Sequence, residues 1–159
     1  MQYNIIDLDG TVICSQHRKL SNPDGSLDLD HWIENCTAEK IALDSLLPLA
    51  ETMRKAYYSG IHTVIVCTAR VLSEADYAFF MEHNLPYHFM LDRPQGCTMA
   101  DAELKDIQLR IFAHNQGISW AKFASQSVCY DDNQAVLSRM RLSGIVALDA
   151  TELNRSIAA

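Results

Sequence analysis

Asn4-Ile5-Ile6-Asp7-Leu8-Asp9-Gly10-Thr11-Val12 is the stretch on which the reading of this chain turns. Ile5 and Ile6 form a short apolar run typical of a buried strand, and the run ends in two carboxylates one residue apart. Alternate residues of a strand face the same side, and Gly10 lets the backbone break away directly after Asp9. Asp7 is therefore expected at the carboxyl end of a strand, with Asp9 curling back over the same spot. Two carboxylates that close repel unless a cation or a shared proton stands between them. Oxygen ligands in this arrangement suit a hard cation such as Mg2+. The same residues also make an ordinary turn, where Asp and Gly are favoured, so matching positions further along must decide.

Those positions come at regular intervals. Leu46, Leu49, Met53 and Ala56 recur at helical spacing from Asp44, with Pro48 in the first turn and Gly60 past the end. Thr63-Val64-Ile65-Val66-Cys67 is a second buried-strand run, and it ends in Thr68-Ala69-Arg70. Ser73 to Asp76 has the spacing of a capping box and opens a helix to about His83, stopped by Asn84 and Pro86. Tyr87 to Leu91 reads as a third strand. Asp101 is expected to cap a helix to about Asn115, with Leu104, Ile107, Ile111 and Phe112 buried and Lys105 in its first turns. A short helical piece spans Ser119 to Ala124. Val128-Cys129-Tyr130 is then a strand, followed at once by Asp131-Asp132-Asn133. A helix from about Gln134 to Leu142, Gly144 and a strand from Ile145 to Leu148 complete the core.

Strands alternating with helices predict an α/β fold: a doubly wound, mostly parallel five-stranded sheet in one domain spanning 1–159. Such sheets bind ligands at the carboxyl ends of their strands, beside the switch point. Polar residues fall there after three strands: Asp7 and Asp9, Thr68, then Asp131 and Asp132. Three in sequence are hard to assign to turns. The one long irregular stretch, Ser15 to Cys36, holds the turn signal Asn22-Pro23-Asp24-Gly25 and then Leu27-Asp28-Leu29-Asp30-His31-Trp32. It begins beside the carboxylates, so a flap or minimal cap is expected at about 12–43; a solvated loop is the alternative.

Composition narrows the class. Hydrophobic residues at 48% and charged residues at 21% are ordinary globular values, which excludes a disordered or collagen-like chain. No apolar run approaches the ~18 residues a membrane helix needs, and the N-terminus enters a carboxylate-bearing strand instead of a signal peptide. Cys14, Cys36, Cys67, Cys97 and Cys129 form no CxxC pair, which favours reduced thiols and a cytoplasmic protein. Cys67 and Cys129 lie in apolar runs and read as small core residues. Thirteen basic against 20 acidic residues give a formal charge of −7, which argues against tight non-specific binding to nucleic acid.

Phosphoryl transfer asks for a nucleophile, a cation to mask phosphate charge, and donors for the equatorial oxygens. Asp7 is placed to be a nucleophile that forms an aspartyl-phosphate, splitting one hard step into two. Asp9 fits the proton donor to the leaving oxygen and the later activator of water. Asp131 and Asp132 would complete an oxygen shell around Mg2+, and Thr68 and Lys105 would hold the phosphate. Each residue also has a plainer use: Thr68 and Asp131-Asp132-Asn133 as helix caps, Lys105 and Arg70 as solvated charges. Tyr77, Phe79, Phe80 and Met81 read as core packing, and His62 as structural.

Taken together, the residues resemble the haloacid dehalogenase superfamily of phosphohydrolases. Its DxDGT signature is matched by Asp7-Leu8-Asp9-Gly10-Thr11, its hydroxyl motif by Thr68, its lysine motif by Lys105 and its acidic motif by Asp131-Asp132. All four occur in the family order and span nearly the whole chain. Within that superfamily, Arg93 to Lys105 is similar to the R-x-x-G-D-x-R-x-D-x-x-x-K pattern of the 3′-phosphatase domain of phage-type polynucleotide kinases. Arg93, Gly96, Asp101 and Lys105 match; Cys97 and Met99 replace an acid and an arginine, and Asn133 lacks the charge of its counterpart. No GxxxxGK[ST] occurs, so no kinase half is expected within these residues. The resemblance implies a Mg2+-dependent phosphomonoesterase with Asp7, Asp9, Thr68 and Lys105 catalytic. Gly10, Thr11, Thr68, Ala69, Arg70, Arg93 and Lys105 would bind phosphate, and Asp7, Asp9, Asp131 and Asp132 the metal. The implied substrate is a nucleic-acid 3′-phosphate or a nucleotide, with a 5′-nucleotidase or other small-metabolite phosphatase as the alternative. A signalling receiver domain would need a phosphoacceptor Asp that Val64 to Cys67 do not offer. A catalytically silent nucleotide-binding module keeps every motif and stands as the reading from another class.

Overall fold

The computed structural model describes residues 2–24 and 27–159. The chain opens with β1 (Gln2–Ile6), leaves the sheet through β2 (Ile13–Cys14), and passes α1 (Leu29–Glu34) and α2 (Ala38–Ile41) before β3 (Ser45–Leu46). It continues through α3 (Leu49–Tyr58), β4 (His62–Cys67), α4 (Glu74–Glu82) and β5 (Phe89–Leu91). After α5 (Asp101–Asn115) and α6 (Trp120–Ser125) come β6 (Ser127–Asp131), α7 (Gln134–Leu142), β7 (Val146–Asp149) and α8 (Ala150–Ala158).

Five strands pair in the order β5-β4-β1-β6-β7, and every pairing is parallel. From β1 the chain winds outward through β4 to β5, then returns to the other side of β1 for β6. That reversal is the switch point, and it lies at the carboxyl end of β1, where Asp7 sits. Successive strand residues feed two cores. Ile5, Ile65 and Cys129 join Leu109, Phe112, Phe123, Leu137 and Met140 of α5, α6 and α7. Ile6, Val64 and Val66 join Leu49, Met53, Phe79, Phe80 and Ala150 of α3, α4 and α8. With both faces covered, the strands read as unbroken apolar runs, which is why they were legible.

Four expectations need correction. The helix expected from Asp44 begins at Leu49; Ser45 and Leu46 instead pair antiparallel with Cys14 and Ile13. Pro48 occupies the N-cap, and the residues before a proline avoid the α conformation. Asp101 does not cap α5: Ala100 holds that position, and the Asp101 carboxylate accepts from Arg93 Nη2 at 2.7 Å. The buried stripe of α5 runs through Leu104, Lys105, Leu109, Phe112 and Ala113, while Ile111 is 54% exposed. Lys105 turns toward the end of β1, and the apolar positions at i+4, i+7 and i+8 turn with it. Finally, α8 was not anticipated. Asp149 caps it, accepting from the N–H groups of Thr151 and Glu152.

That last helix supplies a buried clamp. Asn154 Oδ1 accepts from the Leu49 N–H at 2.8 Å, and its Nδ2 donates to the Thr11 carbonyl at 2.9 Å. It thereby ties the start of α3 to the turn that follows β1. The capping box at Ser73 and Asp76 is present as expected. Phe79 and Phe80 are buried, whereas Tyr77 and Met81 face outward. Of the Asn22-Pro23-Asp24-Gly25 turn signal, Pro23 and Asp24 form a turn and Gly25 lies outside the described residues. Among the described residues no helix is long and apolar enough to cross a membrane.

Candidate active site

Asp7 extends the β1 ladder by one bond, its N–H donating to the Tyr130 carbonyl at 3.0 Å, so its backbone is held by the central strand. Asp131 ends β6 next door, and Asp132 follows it. Carboxylate oxygens of Asp7, Asp131 and Asp132 all lie within 4.8 Å of one another. Lys105, buried on α5, donates from Nζ to Asp7 Oδ1 at 2.7 Å and to Asp131 Oδ2 at 2.6 Å. Asp131 Oδ1 accepts from the Asn133 N–H, and Asn133 rather than either aspartate caps α7. The plainer uses of Lys105 and Asp131 are thus not the ones adopted.

One ammonium faces three carboxylates here, and the imbalance is visible in their protonation. Burial pushes the Asp7 carboxyl up to about 7; Lys105 opposes the shift and Asp131 adds to it. Asp132 is pushed up to about 6 by burial and by Asp7, with Lys19 and Lys105 pulling it down. Asp131 is also raised by burial, against Lys105. Burial would lower Lys105, but Asp7 and Asp131 hold it well above its ordinary value. A purely oxygen donor set with this excess of negative charge fits a hard dication such as Mg2+.

The turn after β1 is built around a single acceptor. The Leu8 carbonyl takes the N–H groups of Thr11, Val12 and Ile13, and the Gly10 N–H goes to the Ile13 carbonyl at 2.8 Å. Gly10 and Thr11 therefore spend their N–H groups inside the turn. Thr11 is fully buried, and its Oγ1 has no partner among the described residues. Gly10 has φ +86°, and a Cβ there would lie 2.6 Å from Asp132 Cγ. Its missing side chain makes the room that Asp132 occupies. Gly10→Ala is expected to displace Asp132 and to weaken divalent-metal binding by at least about ten-fold, measured by calorimetric titration, while costing about 1 kcal/mol or more in urea melts from the positive φ alone.

Asp9 is turned away from the other three carboxylates. Arg70 Nη1 lies 3.1 Å from Asp9 Oδ1, and Arg18 Nη2 lies 3.8 Å from the same oxygen. Both guanidiniums are buried and each has a second carboxylate: Asp76 for Arg70, and Asp44 for Arg18, the latter held through Nε at 2.9 Å and Nη2 at 2.5 Å. The result is a chain of alternating charges, Asp44–Arg18–Asp9–Arg70–Asp76, with the expected acid/base residue at its centre. Arg70 is thus no surface charge. Thr68, at the end of β4, accepts from the Arg70 N–H through Oγ1 and is buried. It caps no helix, since α4 starts at Glu74 behind Ser73. Arg93 stands one layer out: its guanidinium donates to the carbonyls of Ala69, Cys97 and Met99 and to Asp101. In this arrangement it braces the Thr68–Arg70 loop.

Arg18, Asp44, Lys19 and Trp32 were missed in the sequence. All four belong to the segment between β2 and β3, where no periodicity marks which side chains turn inward. Arg18 is fully buried and organises that segment: Asp44 on one edge, Cys36 Sγ 3.3 Å from Nη1, and the Trp32 ring 4.5 Å from its Cζ. Cys67 and Cys129 are core residues as expected, and burial pushes the Cys67 thiol up to about 12.

A switch point lined by paired aspartates, a buried lysine and a hydroxyl after β4 is the arrangement that the resemblance to haloacid dehalogenase phosphohydrolases implies. The likeness extends to solved structures in fold. A chain of the Pnkp1/Rnl/Hen1 RNA repair complex superposes with a TM-score of 0.66 at 19% identity, covering 94% of this chain and 42% of that one. A haloacid dehalogenase-like hydrolase from Streptococcus pneumoniae gives 0.63 at 11% identity, covering 98% and 91%. One from Geobacter sulfurreducens gives 0.59 at 13% identity, covering 99% and 96%. The chain belongs to the bacteriophage T5 5′-deoxynucleotidase family, whose model matches residues 1–158. The 5′-deoxynucleotidase of Escherichia phage T5 is 39% identical over 84 residues, which is 51% of this chain and 34% of that protein. The match therefore spans about a third of that relative's length.

Proposed function

We propose that this protein is a Mg2+-dependent phosphomonoesterase that removes the phosphate of a 5′-deoxynucleoside monophosphate, with Asp7 as nucleophile. The observation that carries the reading is the Asp7–Asp131–Asp132 cluster around Lys105 at the switch point. Membership of a family described as 5′-deoxynucleotidase supports the substrate class. Asp7, Asp131 and Asp132 would hold the metal, which when bound masks the charge of the phosphate.

In the first step an Asp7 carboxylate oxygen attacks phosphorus. The P–O bond to the sugar breaks, and the departing alkoxide takes a proton from Asp9. In the second step Asp9 takes a proton from water, whose oxygen attacks the aspartyl-phosphate. The Asp7–phosphorus bond breaks, releasing inorganic phosphate and restoring the carboxylate. Lys105 and the Thr68 hydroxyl hold the phosphate oxygens through both steps. Phosphate also competes with Asp9 for the Arg70 guanidinium, so its arrival frees the Asp9 carboxylate, which takes a proton from solvent and turns toward the leaving oxygen as the acid. The segment from β2 to β3 acts as a minimal cap over the site.

A 3′-phosphate at a nucleic-acid end is the second reading, favoured by the Arg93-to-Lys105 pattern. Cys97, Met99 and Asn133 lack the charges of that pattern, and the net charge of −7 suits a small substrate better. Phosphate release from 5′-deoxynucleoside monophosphates, 3′-mononucleotides and 3′-phosphorylated oligonucleotides separates the two. The expected result is highest kcat/KM on the 5′-mononucleotides, loss of turnover in EDTA and recovery with Mg2+. No turnover of any panel member would sink the nucleotide reading, and full turnover in EDTA would sink the metal.

A further inference from the structure

The segment between β2 and β3 presents one large aromatic side chain to the site, and its placement is unusual. Helix α1 is six residues long and has no fully buried residue. Leu29 and Ile33, which share its apolar face with Trp32 at the i, i+3 and i+4 positions, are 63% and 68% exposed. Trp32 is half-buried and turns its ring toward two buried cations. Its ring lies 4.5 Å from the Arg18 Cζ and 5.9 Å from the Arg70 Cζ. Those are the two guanidiniums that meet at Asp9. The indole is therefore within one side-chain length of the residue assigned to protonate the leaving oxygen. Among the described residues these two cations are the ring contacts that the indole makes.

On the reading above of a nucleotide phosphatase, we infer that Trp32 is a specificity residue: its indole is the platform on which the nucleobase of the substrate packs while the phosphate sits at Asp7. A phosphate and a nucleobase are joined by one sugar, so the base of a bound mononucleotide must lie at the rim of the pocket, near the leaving oxygen. The structure puts an aromatic surface there, half-buried and backed by two cations. An aromatic face held against guanidiniums is rigid, and stacking on it is tolerant of base identity because every base has a π-face. The adjoining exposed Leu29 and Ile33 extend the apolar surface outward from the same helix.

The competing role is structural: Trp32 would only shield Arg18 from water. Steady-state kinetics with Mg2+ on a 5′-deoxynucleoside monophosphate and on 2-deoxyribose 5-phosphate, which lacks the base, tell the two apart. Trp32→Ala is expected to raise KM for the nucleotide by about ten- to a hundred-fold with little change in kcat, and to leave the base-less ester unchanged. Trp32→Phe should keep nucleotide turnover within about five-fold of the parent, since a ring remains to stack on. Equal losses on both substrates, or no loss on either, would overturn the inference. Should the parent turn over neither ester, the phosphatase reading fails, and fluorescence decides the inference separately. In a Trp120→Phe background Trp32 is the sole tryptophan of the two in the chain. Quenching of its emission by the nucleotide but not by the base-less ester sustains the platform; equal or absent quenching removes it.

Discussion

Asp7→Asn should lower phosphate release by a factor on the order of 10^4 or more, while the metal-free variant melts no lower than the parent. The two halves of this expectation have one cause. The amide keeps the shape of the carboxylate and an oxygen to accept from Lys105, but it no longer attacks phosphorus. It also removes one of three negative charges that crowd a buried site, where burial already pushes Asp7 up to about 7. In EDTA, thermal melting should show an unchanged or raised Tm. Added Mg2+ should stabilise the variant less than the parent, because one of its three ligands has lost its charge. A variant that lost activity and stability together would mark Asp7 as a structural residue. That outcome would remove the nucleophile from the proposed chemistry.

Lys105→Met acts in the opposite direction on the fold. Among the described residues the ammonium is the one cation hydrogen-bonded to the cluster, 2.7 Å from Asp7 and 2.6 Å from Asp131. Removing one partner of a buried charge group costs about 3–5 kcal/mol, because what remains is uncompensated. For a domain of this size that corresponds to a fall in Tm on the order of 10 °C in EDTA. Turnover should be lost as well, since Lys105 holds the phosphate in the proposed mechanism.

The loss should depend on pH in a defined sense. In the folded parent the Asp7 carboxyl is raised to about 7 from an ordinary value of 3.8. Between those limits the folded state binds more protons than the unfolded one, so stability falls as pH rises through the window. Without Lys105 to oppose burial the shift becomes larger, and the fall continues to higher pH. Urea melts in EDTA at pH 5 and pH 8 measure this directly. Both proteins should be weaker at pH 8 from this group, the variant more so, and Mg2+ should recover much of the difference. A Lys105→Met protein whose stability was equal at the two pH values would show that the cluster carries no such strain.

The parts of this molecule that could be read in advance are those that chain neighbours determine. Strand runs were visible because both sheet faces are buried, and the residue ending each run lands at the carboxyl edge whatever the helices do. Asp7, Thr68 and Asp131 were found that way. Lys105 needed more, since its helix could be predicted but not its rotation: the apolar spacing suggested a stripe through Ile107 and Ile111, whereas the pull of two carboxylates brings Lys105 inward and Ile111 out. Asp9 was legible as a residue and not as a geometry. Its partners Arg70 and Arg18 approach from β4 and from the segment after β2, and neither pairing has a local signature. Arg18 and Asp44, separated by 26 positions and joined only in three dimensions, were invisible for the same reason.

The Asn154 clamp bears on how the protein is made. Its two bonds reach back 105 positions to Leu49 and 143 to Thr11, and they hold the turn that carries Asp9 and Gly10 against the start of α3. At the ribosome, elongation at roughly 5–20 residues per second separates the synthesis of that turn from the synthesis of its clamp by about 7 to 30 s. Throughout that interval Asp9 is present in the nascent chain without the Asn154 contact to the Thr11 carbonyl of its turn. The turn is therefore fixed only once residue 154 has been made, by a contact that reaches back over 143 positions.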